Sequence, residues 1–514
     1  MMKNKKRSIL ALTAAGAVLL AGCGNGGTKK DNADSQVTLK WILGSPGVQK
    51  DSDEVWKLYN EKLSEQLPNT NVEFECITTT DYAEKWKLIS ASQENVDIVW
   101  HGWMLPYVTE VKKGSYMELD DLIKENAPDL LEVIPENILA KQRVDGKLYS
   151  IPNMQQMVSY ISAVDISYDN YEKLKDKINI DELVEFFASH KTLDKECWDK
   201  IEELIKLIKA EGDFKQGAYS FANFVEKGYE WISNPYKIKV GDDTAPAVNL
   251  YRTPEYETFV EVISDWYNKG YIRKDVLTAD NLSDGSYCVK EGASYLVGQG
   301  YLPTQTEIDK AAASGKSAFV HIPTENSHYI PYAASATNTA ISINSKNPER
   351  AIKLIDLMNT DKGKDLYNLL VFGIEGKHYT KVNDKEIEPI GYTTQANSDS
   401  PYGQYKWAVG NTFNAYEMYM KDKNVIYTND FIKKINEEAK ASDLKGFTLD
   451  TDPIKTELAQ VTAVMGEYTK TLNSGAAPDA KKLYEDFVEK LKVAGDDKVT
   501  EEITRQINEF RKNK

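Results

Sequence analysis

Apolar residues recur with two distinct periods, one typical of strands and one typical of helices, along residues 37–100. From Val37 to Leu43 every second residue is apolar, the period of a half-buried strand, and Gly44 ends the run. From Trp56 to Leu67 the apolar residues recur at helical spacing, Asp51 or Ser52 can cap the start, and a proline follows. The pattern predicts a strand at 37–43, a helix at 52–67, a strand at 72–76, a helix at 82–89 and a strand at 96–100.

This strand and helix alternation predicts a parallel sheet with helices packed on its faces. Ligands of such sheets bind beyond the carboxyl ends of the strands, which here are the loops 44–47, 78–81 and 101–103. A later run, 340–343, predicts a strand that returns to this first sheet. Asn347 and Pro348 then cap and begin a helix.

The remainder of the chain is predicted to be rich in helices. Helical stripes of apolar residues occur at 183–187, 201–208 and 256–267, and the last of these begins after Thr253-Pro254 and ends at Gly270. Three further stripes, 454–472, 483–491 and 503–510, predict a helical carboxyl-terminal region. We interpret these stripes as packing faces.

The amino terminus has the pattern of an export signal. Four basic residues within 3–7 precede an apolar run at 9–21, which is too short to span a bilayer. Leu20-Ala21-Gly22-Cys23 resembles the bacterial lipobox, in which the cysteine becomes the acylated amino terminus. We expect residues 1–22 to be a signal peptide, Cys23 to carry the lipid (a palmitate-type anchor), and 23–35 to be a flexible tether.

Charge and cysteine content narrow the class of protein. The net charge of -16 becomes -20 when residues 1–22, with four cations and no acids, are removed. Such acidity argues against nucleic acid and anionic lipid as partners. The length of 514 residues predicts two domains. Cys76, Cys197 and Cys288 are widely spaced and odd in number, so no disulfide framework is predicted, and we expect Cys76 to be a buried strand residue.

The chain contains no recognisable catalytic or cofactor motif. Its five histidines have no zinc-ligand spacing, and Gly298-Gln299-Gly300 lacks the third glycine of a dinucleotide loop. The neighbouring carboxylates Asp120 and Asp121 are expected by chance among 79 acidic residues. We therefore expect no enzyme activity, no cofactor and no metal site.

Aromatic residues in predicted loops are the better indication of function. A tryptophan or tyrosine ring offers a flat apolar platform for a sugar, and amide side chains can read its hydroxyls. The candidate binding residues of this kind are Trp103, Trp231, Tyr301, Trp407, Asn153, Gln155, Asn338 and Asn411. Together they favour a carbohydrate cleft.

Several segments, taken in order, resemble the extracellular solute-binding lipoproteins of bacterial ABC importers, and more closely the LipO or LplA-like sugar-binding group. The similarity covers nearly all of residues 20–514. Its carriers are Leu43-Gly44-Ser45-Pro46-Gly47, Asp97-Ile98 before Trp100, the run 146–153, Asn347-Pro348-Glu349-Arg350-Ala351, the run 372–379, and Trp407-Ala408-Val409-Gly410-Asn411.

The resemblance implies an α/β fold in which two lobes form a type II periplasmic-binding-protein-like clamp, with a helical carboxyl-terminal region. Lobe one would comprise 36–165 and 326–405, and lobe two 166–325 and 406–514. The lobes would close on the solute like a hinge and present it to a membrane permease. The resemblance adds Ser45 to the ligand-binding candidates and implies a monomer on the outer face of a cell membrane, which we expect to be Gram-positive.

Two alternatives to sugar capture stay open from the sequence. A binding protein for a peptide or another organic solute would have a charged group that reads the termini of its ligand. A lipid-anchored glycosidase would need a working pair of carboxylates and would release a product.

Overall fold

A computed structural model describes residues 35–159, 161–217, 221–278, 287–294, 301–331, 337–392, 395–419, 428–444 and 447–512. The predicted signal peptide, Cys23 and almost all of the predicted tether therefore lie outside the described residues. Within the described ranges no helix is both long enough and apolar enough to cross a membrane.

The strands, in chain order, are β1 Val37–Ser45, β2 Thr70–Thr78, β3 Ile98–His101, β4 Arg143–Val144, β5 Lys147–Leu148, β6 Ile151–Pro152, β7 Ile161–Ser167, β8 Tyr229–Ser233, β9 Tyr236–Lys239, β10 Val248–Asn249, β11 Val289–Ser294, β12 Phe319–Pro323, β13 Tyr329–Ile330, β14 Asn338–Ile341, β15 Tyr379–Lys381, β16 Glu386–Pro389, β17 Glu417–Met418 and β18 Lys440–Ala441.

The α-helices are α1 Ser52–Gln66, α2 Tyr82–Ser92, α3 Tyr107–Lys112, α4 Asp120–Asn126, α5 Leu130–Val133, α6 Glu136–Leu139, α7 Tyr168–Leu174, α8 Ile180–Ser189, α9 Lys195–Glu211, α10 Pro254–Asn268, α11 Gln305–Ala313, α12 Pro348–Asn359, α13 Lys364–Phe372, α14 Lys406–Val409, α15 Asn429–Glu438, α16 Lys455–Ser474, α17 Ala480–Val493 and α18 Asp496–Lys512. Short 3₁₀ turns occupy Ala140–Gln142, Ala222–Glu226, Leu250–Arg252, Asp361–Gly363, Thr412–Asn414 and Asp452–Ile454.

The first sheet has five strands in the order β2-β1-β3-β14-β6. Strands β2, β1 and β3 are parallel, as the βαβαβ pattern predicts. The return strand β14 joins this sheet, as expected, but it runs antiparallel to both β3 and β6. The parallel arrangement predicted for the βαβαβ unit is thus confirmed, and the structure adds the antiparallel direction of the return strand.

Buried side chains form separate cores for the two lobes. One core and its neighbouring cluster, on both faces of the first sheet, draw on residues between Val37 and Val158 and between Ile330 and Ile435. The other is built around the sheet β11-β7-β12 and draws on residues from Val164 to Ile322 and from Leu444 to Ile507.

The last stretch of lobe one differs from the sequence assignment. Val409, Ala415 and Ile435 pack in the lobe-one core, although residues 406–439 were expected in lobe two. Hydrophobic periodicity identifies a buried face without naming the core that buries it, which explains the difference. We propose that the chain crosses from lobe one to lobe two near residue 158, returns to lobe one near residue 330, and crosses again to lobe two near residue 440.

Two predicted helix caps also differ in their side chains. Helix α1 begins as predicted, but Asp51 makes no side-chain cap bond, and its Oδ2 instead lies 3.2 Å from Nε2 of His378. Helix α12 begins at Pro348 as predicted, but Asn347 likewise makes no side-chain cap bond. In contrast, the side chain of Thr253 caps α10 by accepting the Tyr256 N–H, and this helix begins at Pro254 as the proline position predicts.

Candidate functional site

A cluster of aromatic rings lies where strand β3 ends at the edge of the first sheet. The ring centroid of Trp103 is 5.4 Å from that of Trp407 and 5.8 Å from that of the fully buried Trp100. Tyr405 stacks on Trp407 at 4.7 Å with an interplanar angle of 19°. Trp103 is 62% exposed, so its ring is the platform of the cluster that faces solvent.

Two glycines give the Trp100 ring its place beneath this cluster. A Cβ atom on Gly44 would lie 2.4 Å from the Trp100 ring, and one on Gly102 would lie 2.1 Å from it. Both distances are too short for a real Cβ contact, so a side chain at position 44 or 102 would clash with the Trp100 ring. The indole fits only because both positions are glycine. The ends of β1 and β3 therefore leave room for the Trp100 ring, which supports the exposed Trp103.

Trp407, from helix α14, is held against the cluster by long-range hydrogen bonds. Asn153 Nδ2 and Thr337 Oγ1 both donate to the Trp407 carbonyl oxygen, at 2.9 and 2.7 Å. Asn153 Oδ1 accepts from the Thr339 hydroxyl, and Gln155 Nε2 donates to Thr337 Oγ1, each at 2.9 Å. The predicted amides thus position the Trp407 segment, and Asn153 has no exposed surface.

Three other predicted residues also have protein partners. Ser45 is 1% exposed and its Oγ accepts the Gly47 N–H at 2.9 Å. Asn338 is buried in β14, paired with His101 and Pro152. The Asn411 side chain accepts the Phe413 N–H and donates to the Asn359 carbonyl. In this conformation the buried Ser45 and Asn338 present almost no surface to a solute, and the ligand-binding role of all three stays a prediction.

The remaining candidates, Trp231 and Tyr301, lie in lobe two. Trp231, in β8, is 50% exposed, and the ammonium of Lys237 lies 5.5 Å from its ring centroid. Tyr301 packs partly against the lobe-two core, and its carbonyl accepts the His321 N–H at 2.8 Å. The structure thus places these two on the opposite lobe from the Trp103 and Trp407 cluster, and their binding role stays a prediction.

The segments that connect the lobes are bonded to one another. Strand β13 pairs in parallel with β18, and Met157 N donates to Asn436 Oδ1 at 2.8 Å. From lobe two, the carboxylate of Glu230 accepts from the hydroxyls of Tyr329 and Ser442, both at 2.7 Å. Burial, with the adjacent Glu230 charge, raises the pKa of Tyr329. A lobe-two side chain thereby holds two connecting segments side by side.

One group of possible metal ligands occurs in lobe two, among the residues that the structure describes. Ligand atoms of His190, Asp194 and Cys197 lie within 4.8 Å of one another. Asp194 Oδ1, however, accepts the Cys197 N–H as the cap of α9, and burial raises the pKa of the Cys197 thiol to about 12. The group is therefore explained by the start of a helix, and the absence of a metal site stays a prediction.

Sequence reasoning missed Tyr405, Gln404, Lys406 and Thr337, which surround or anchor Trp407. The run Tyr402-Gly403-Gln404-Tyr405-Lys406-Trp407 is rich in aromatic and polar residues, which is the one signal that could have indicated it. Thr337 gives no comparable signal, because its role depends on a partner 70 residues away.

Comparison with known proteins identifies the class of the whole chain. A family model described as bacterial extracellular solute-binding protein matches residues 49–365, more than half of the chain. A second, described as a domain of unknown function (DUF3502), matches residues 443–512, which contain α16, α17 and α18.

The similar proteins extend over most or all of the chain. A carbohydrate ABC transporter substrate-binding protein of Streptococcus pneumoniae is 27% identical and covers 100% of both chains. The polygalacturonan/rhamnogalacturonan-binding protein YtcQ of Bacillus subtilis is 22% identical over 75% of this chain and 76% of its own.

A solved structure of similar fold is the N-glycan transport solute-binding protein NgtS of Streptococcus pneumoniae, with 23% identity and a TM-score of 0.71 over 93% of this chain and 99% of NgtS. The two-lobe α/β clamp predicted from the sequence is confirmed by this similarity of fold. The chain belongs to the family of bacterial extracellular solute-binding proteins.

Proposed function

We propose that this protein captures an oligosaccharide between its two lobes and delivers it, chemically unchanged, to an ABC importer. The observation that carries the proposal is the exposed ring of Trp103, supported by Trp407 and Trp100 at the carboxyl end of β3. A ring held rigidly by other rings can stack on a sugar at little cost in conformational entropy.

The comparisons favour a sugar as the ligand. The pneumococcal and Bacillus relatives are both carbohydrate-binding proteins by name. The TM-score is 0.71 to NgtS but 0.62 to NgtS in complex with Man1GlcNAc and 0.58 to NgtS in complex with Man5GlcNAc. Since the sequence identity is 23% in each case, hinge closure on the glycan would account for the lower scores.

The proposal includes a lipid anchor at Cys23 on the extracellular face of the membrane. The basic residues, the short apolar run and the Leu-Ala-Gly-Cys motif support it. Replacement of Cys23 by Ser should release the protein into the medium and abolish labelling by radioactive palmitate. Continued membrane attachment of the variant would contradict the anchor.

A glycosidase is less well supported. Asp120 accepts from the Leu148 N–H at 2.8 Å and from Arg143 at 2.7 Å. Burial alone would raise the pKa of Asp120, but these donors outweigh it and lower the pKa. A general acid needs a raised pKa, so Asp120 does not have the electrostatics of that role.

A thermal-shift screen with a broad glycan panel, combined with an assay for released sugars, tests the proposal. We expect one class of glycan to raise Tm without cleavage. A rise in Tm with peptides alone would favour the alternative of a peptide-binding protein, and product release would favour the glycosidase.

Trp103→Ala provides the test at the level of the site. An aromatic side chain contributes about 1–3 kcal/mol of binding free energy for each nucleic-acid base that stacks on it. We expect the contribution for a saturated sugar ring to lie at the lower end of this range. We expect affinity to fall about five- to tenfold, equal to ~1.0–1.4 kcal/mol. The control is Leu88→Ala, which truncates a 70% exposed side chain on α2 and should leave affinity unchanged. Equal affinities of both variants would remove Trp103 from the site.

A further inference from the structure

The third segment that connects the lobes, residues 439–444, passes from an exposed part to a buried part at Ser442. Lys440 and Ala441, which form β18, are both exposed. Ser442 is 4% exposed, and Leu444 has no exposed surface and belongs to the core of lobe two. The segment therefore enters lobe two at Ser442, and its exposed part lies on the side of lobe one.

Two side chains from lobe two bind the buried part of this segment at successive residues. Glu230, in β8, accepts from the Ser442 hydroxyl at 2.7 Å. Asp443 Oδ2 accepts from Nε of Arg511 at 2.9 Å. Arg511 lies in the last turn of α18, and its side chain is 14% exposed. The carboxyl-terminal helices thus contact the connecting segment directly.

The Arg511 guanidinium is also bonded to the backbone of lobe two. Its Nη1 donates to the Ala245 carbonyl at 3.2 Å, and its Nη2 donates to the Asp242 carbonyl at 3.3 Å. A guanidinium carries its donors in a rigid planar arrangement, so one arginine can bind several acceptors at once. Arg511 therefore joins the connecting segment to the loop between β9 and β10.

Helix α18, which carries Arg511, is itself firmly attached to lobe two. At its first residue, Asp496 has no exposed surface and accepts from Arg252 Nη1 at 2.6 Å. Near its end, the ring centroid of Phe510 lies 5.6 Å from that of Phe447. Because both ends of the helix are attached, the position of Arg511 is set by lobe two and not by the connecting segment.

On the lobe-one side, the chain is held just before the exposed part of the segment. Asn436, in α15, accepts the Met157 N–H at 2.8 Å and donates from Nδ2 to the Gln155 carbonyl at 2.9 Å. These bonds join the first and third connections between the lobes on the lobe-one side. Bending of the third connection is therefore confined to the residues between Asn436 and Ser442.

We propose that Arg511 is a positioning residue for hinge closure: it fixes residues 442–444 to lobe two, so that the third connecting segment bends on the lobe-one side of Ser442. This gives a role to residues 443–512, which match a domain of unknown function. The inference goes beyond sugar capture, because it applies to any solute on which the lobes close. Attachment of α18 alone would need only the bonds to the 242–245 loop, and not the bond to Asp443.

Hydrogen exchange of the whole protein without a solute tests this role. The reporting amides are those of Ser442, which donates to the Ile330 carbonyl, and Leu444, which donates to Ser442 Oγ. In Arg511→Ala we expect both amides to exchange about five- to tenfold faster, because the segment opens locally more often. In Asp443→Ala the same amides should exchange faster while α18 stays unchanged, since Arg511 keeps its bonds to the 242–245 loop.

Arg505→Ala is the matched control on the same helix. Arg505 is 53% exposed and pairs with Glu502 and Glu509 of α18, so its loss should leave the connecting segment unchanged. An equal increase at residues 442–444 in this control would overturn the proposal, because any weakening of α18 would then have the same effect. An increase confined to α18 and the 242–245 loop in Arg511→Ala would also overturn it.

The unmodified protein tests where the segment bends. The amides of Ala439 and Lys440 should exchange faster than those of Ser442 and Leu444, and the reverse order would overturn the assigned position. If Arg511→Ala failed to fold, Asp443→Ala would decide, because its side chain is 39% exposed and its loss leaves the helix attached. Sugar capture is tested separately by the glycan panel, so its failure would leave this inference standing.

Discussion

Asp496 should be the side chain that holds the carboxyl-terminal helices to lobe two. It is the first residue of α18 and has no exposed surface. Its carboxylate accepts from the Tyr236 hydroxyl at 2.8 Å, from Asn249 Nδ2 at 2.6 Å and from Arg252 Nη1 at 2.6 Å. Asp496→Ala removes the acceptor of all three bonds at once.

The magnitude follows from what the substitution leaves behind. Removal of one partner of a buried ion pair costs about 3–5 kcal/mol, because the other charge is left uncompensated. Arg252 keeps a second carboxylate, since its Nη1 also donates to Asp497 at 2.5 Å, and its side chain is 25% exposed. The loss should therefore lie near the lower end, about 3 kcal/mol, which for a lobe of this size is a fall in Tm of roughly 6–12 °C.

Calorimetry of Asp496→Ala and Asp497→Ala measures this difference. Asp497 binds the same guanidinium but its side chain is 60% exposed, so its loss should cost no more than about 1 kcal/mol. Hydrogen exchange should increase in α18, β9 and β10 of the Asp496 variant and stay unchanged in lobe one. If the two variants melted within about 2 °C of each other, the buried carboxylate would not be the anchor that its geometry indicates.

Two further predictions concern the site and the effect of pH. Asn153→Leu should lower both Tm and glycan affinity, because it removes a donor to the Trp407 carbonyl. The expected loss in the free energy of unfolding is about 1–3 kcal/mol. A loss of affinity at unchanged Tm would instead indicate that Asn153 contacts the ligand directly. Burial alone would lower the pKa of His321, but its 2.7 Å bond to buried Asp165 and that charge raise it above 6.5. The His321–Asp165 interaction therefore stabilises the fold fully below pH 6.5 and is lost as pH rises through the pKa of His321 in the folded protein. The difference in Tm between wild type and His321→Gln should accordingly shrink as pH rises through that range. A difference in Tm that grew with pH would contradict this sign.

Local periodicity was sufficient to predict the elements of the first sheet and their order. Strands β1, β2 and β3 and helices α1, α2, α16 and α17 all lie within a few residues of their predicted bounds, whereas α18 begins seven residues before its predicted stripe at 503–510. Each of these depends on a pattern that repeats every two residues or about every 3.6 residues within one short segment. The positions of Pro254 and Gly270 similarly predicted where α10 begins and ends.

Side-chain partners were decided by tertiary structure. Asp51 has the position of a helix cap in sequence, but its carboxylate pairs with His378, 327 residues away. Asn153 is of a residue type that commonly binds sugar hydroxyls, but it is buried and its side chain donates a hydrogen bond to the Trp407 carbonyl, 254 residues away. Packing brings such groups together, and once an amide or carboxylate is buried it must bond to whatever polar group lies within reach.

The sequence by itself therefore determined the α/β class, the family and the order of the elements in the first three strands and at the carboxyl terminus, and it offered tryptophans as candidates for sugar binding. Tertiary structure alone decided that Trp103 is the exposed ring and Trp407 its support, and that Val409, Ala415 and Ile435 pack in the core of lobe one. The physical reason is that periodicity records which positions are buried, whereas the neighbour of each buried group depends on contacts between segments far apart in the chain.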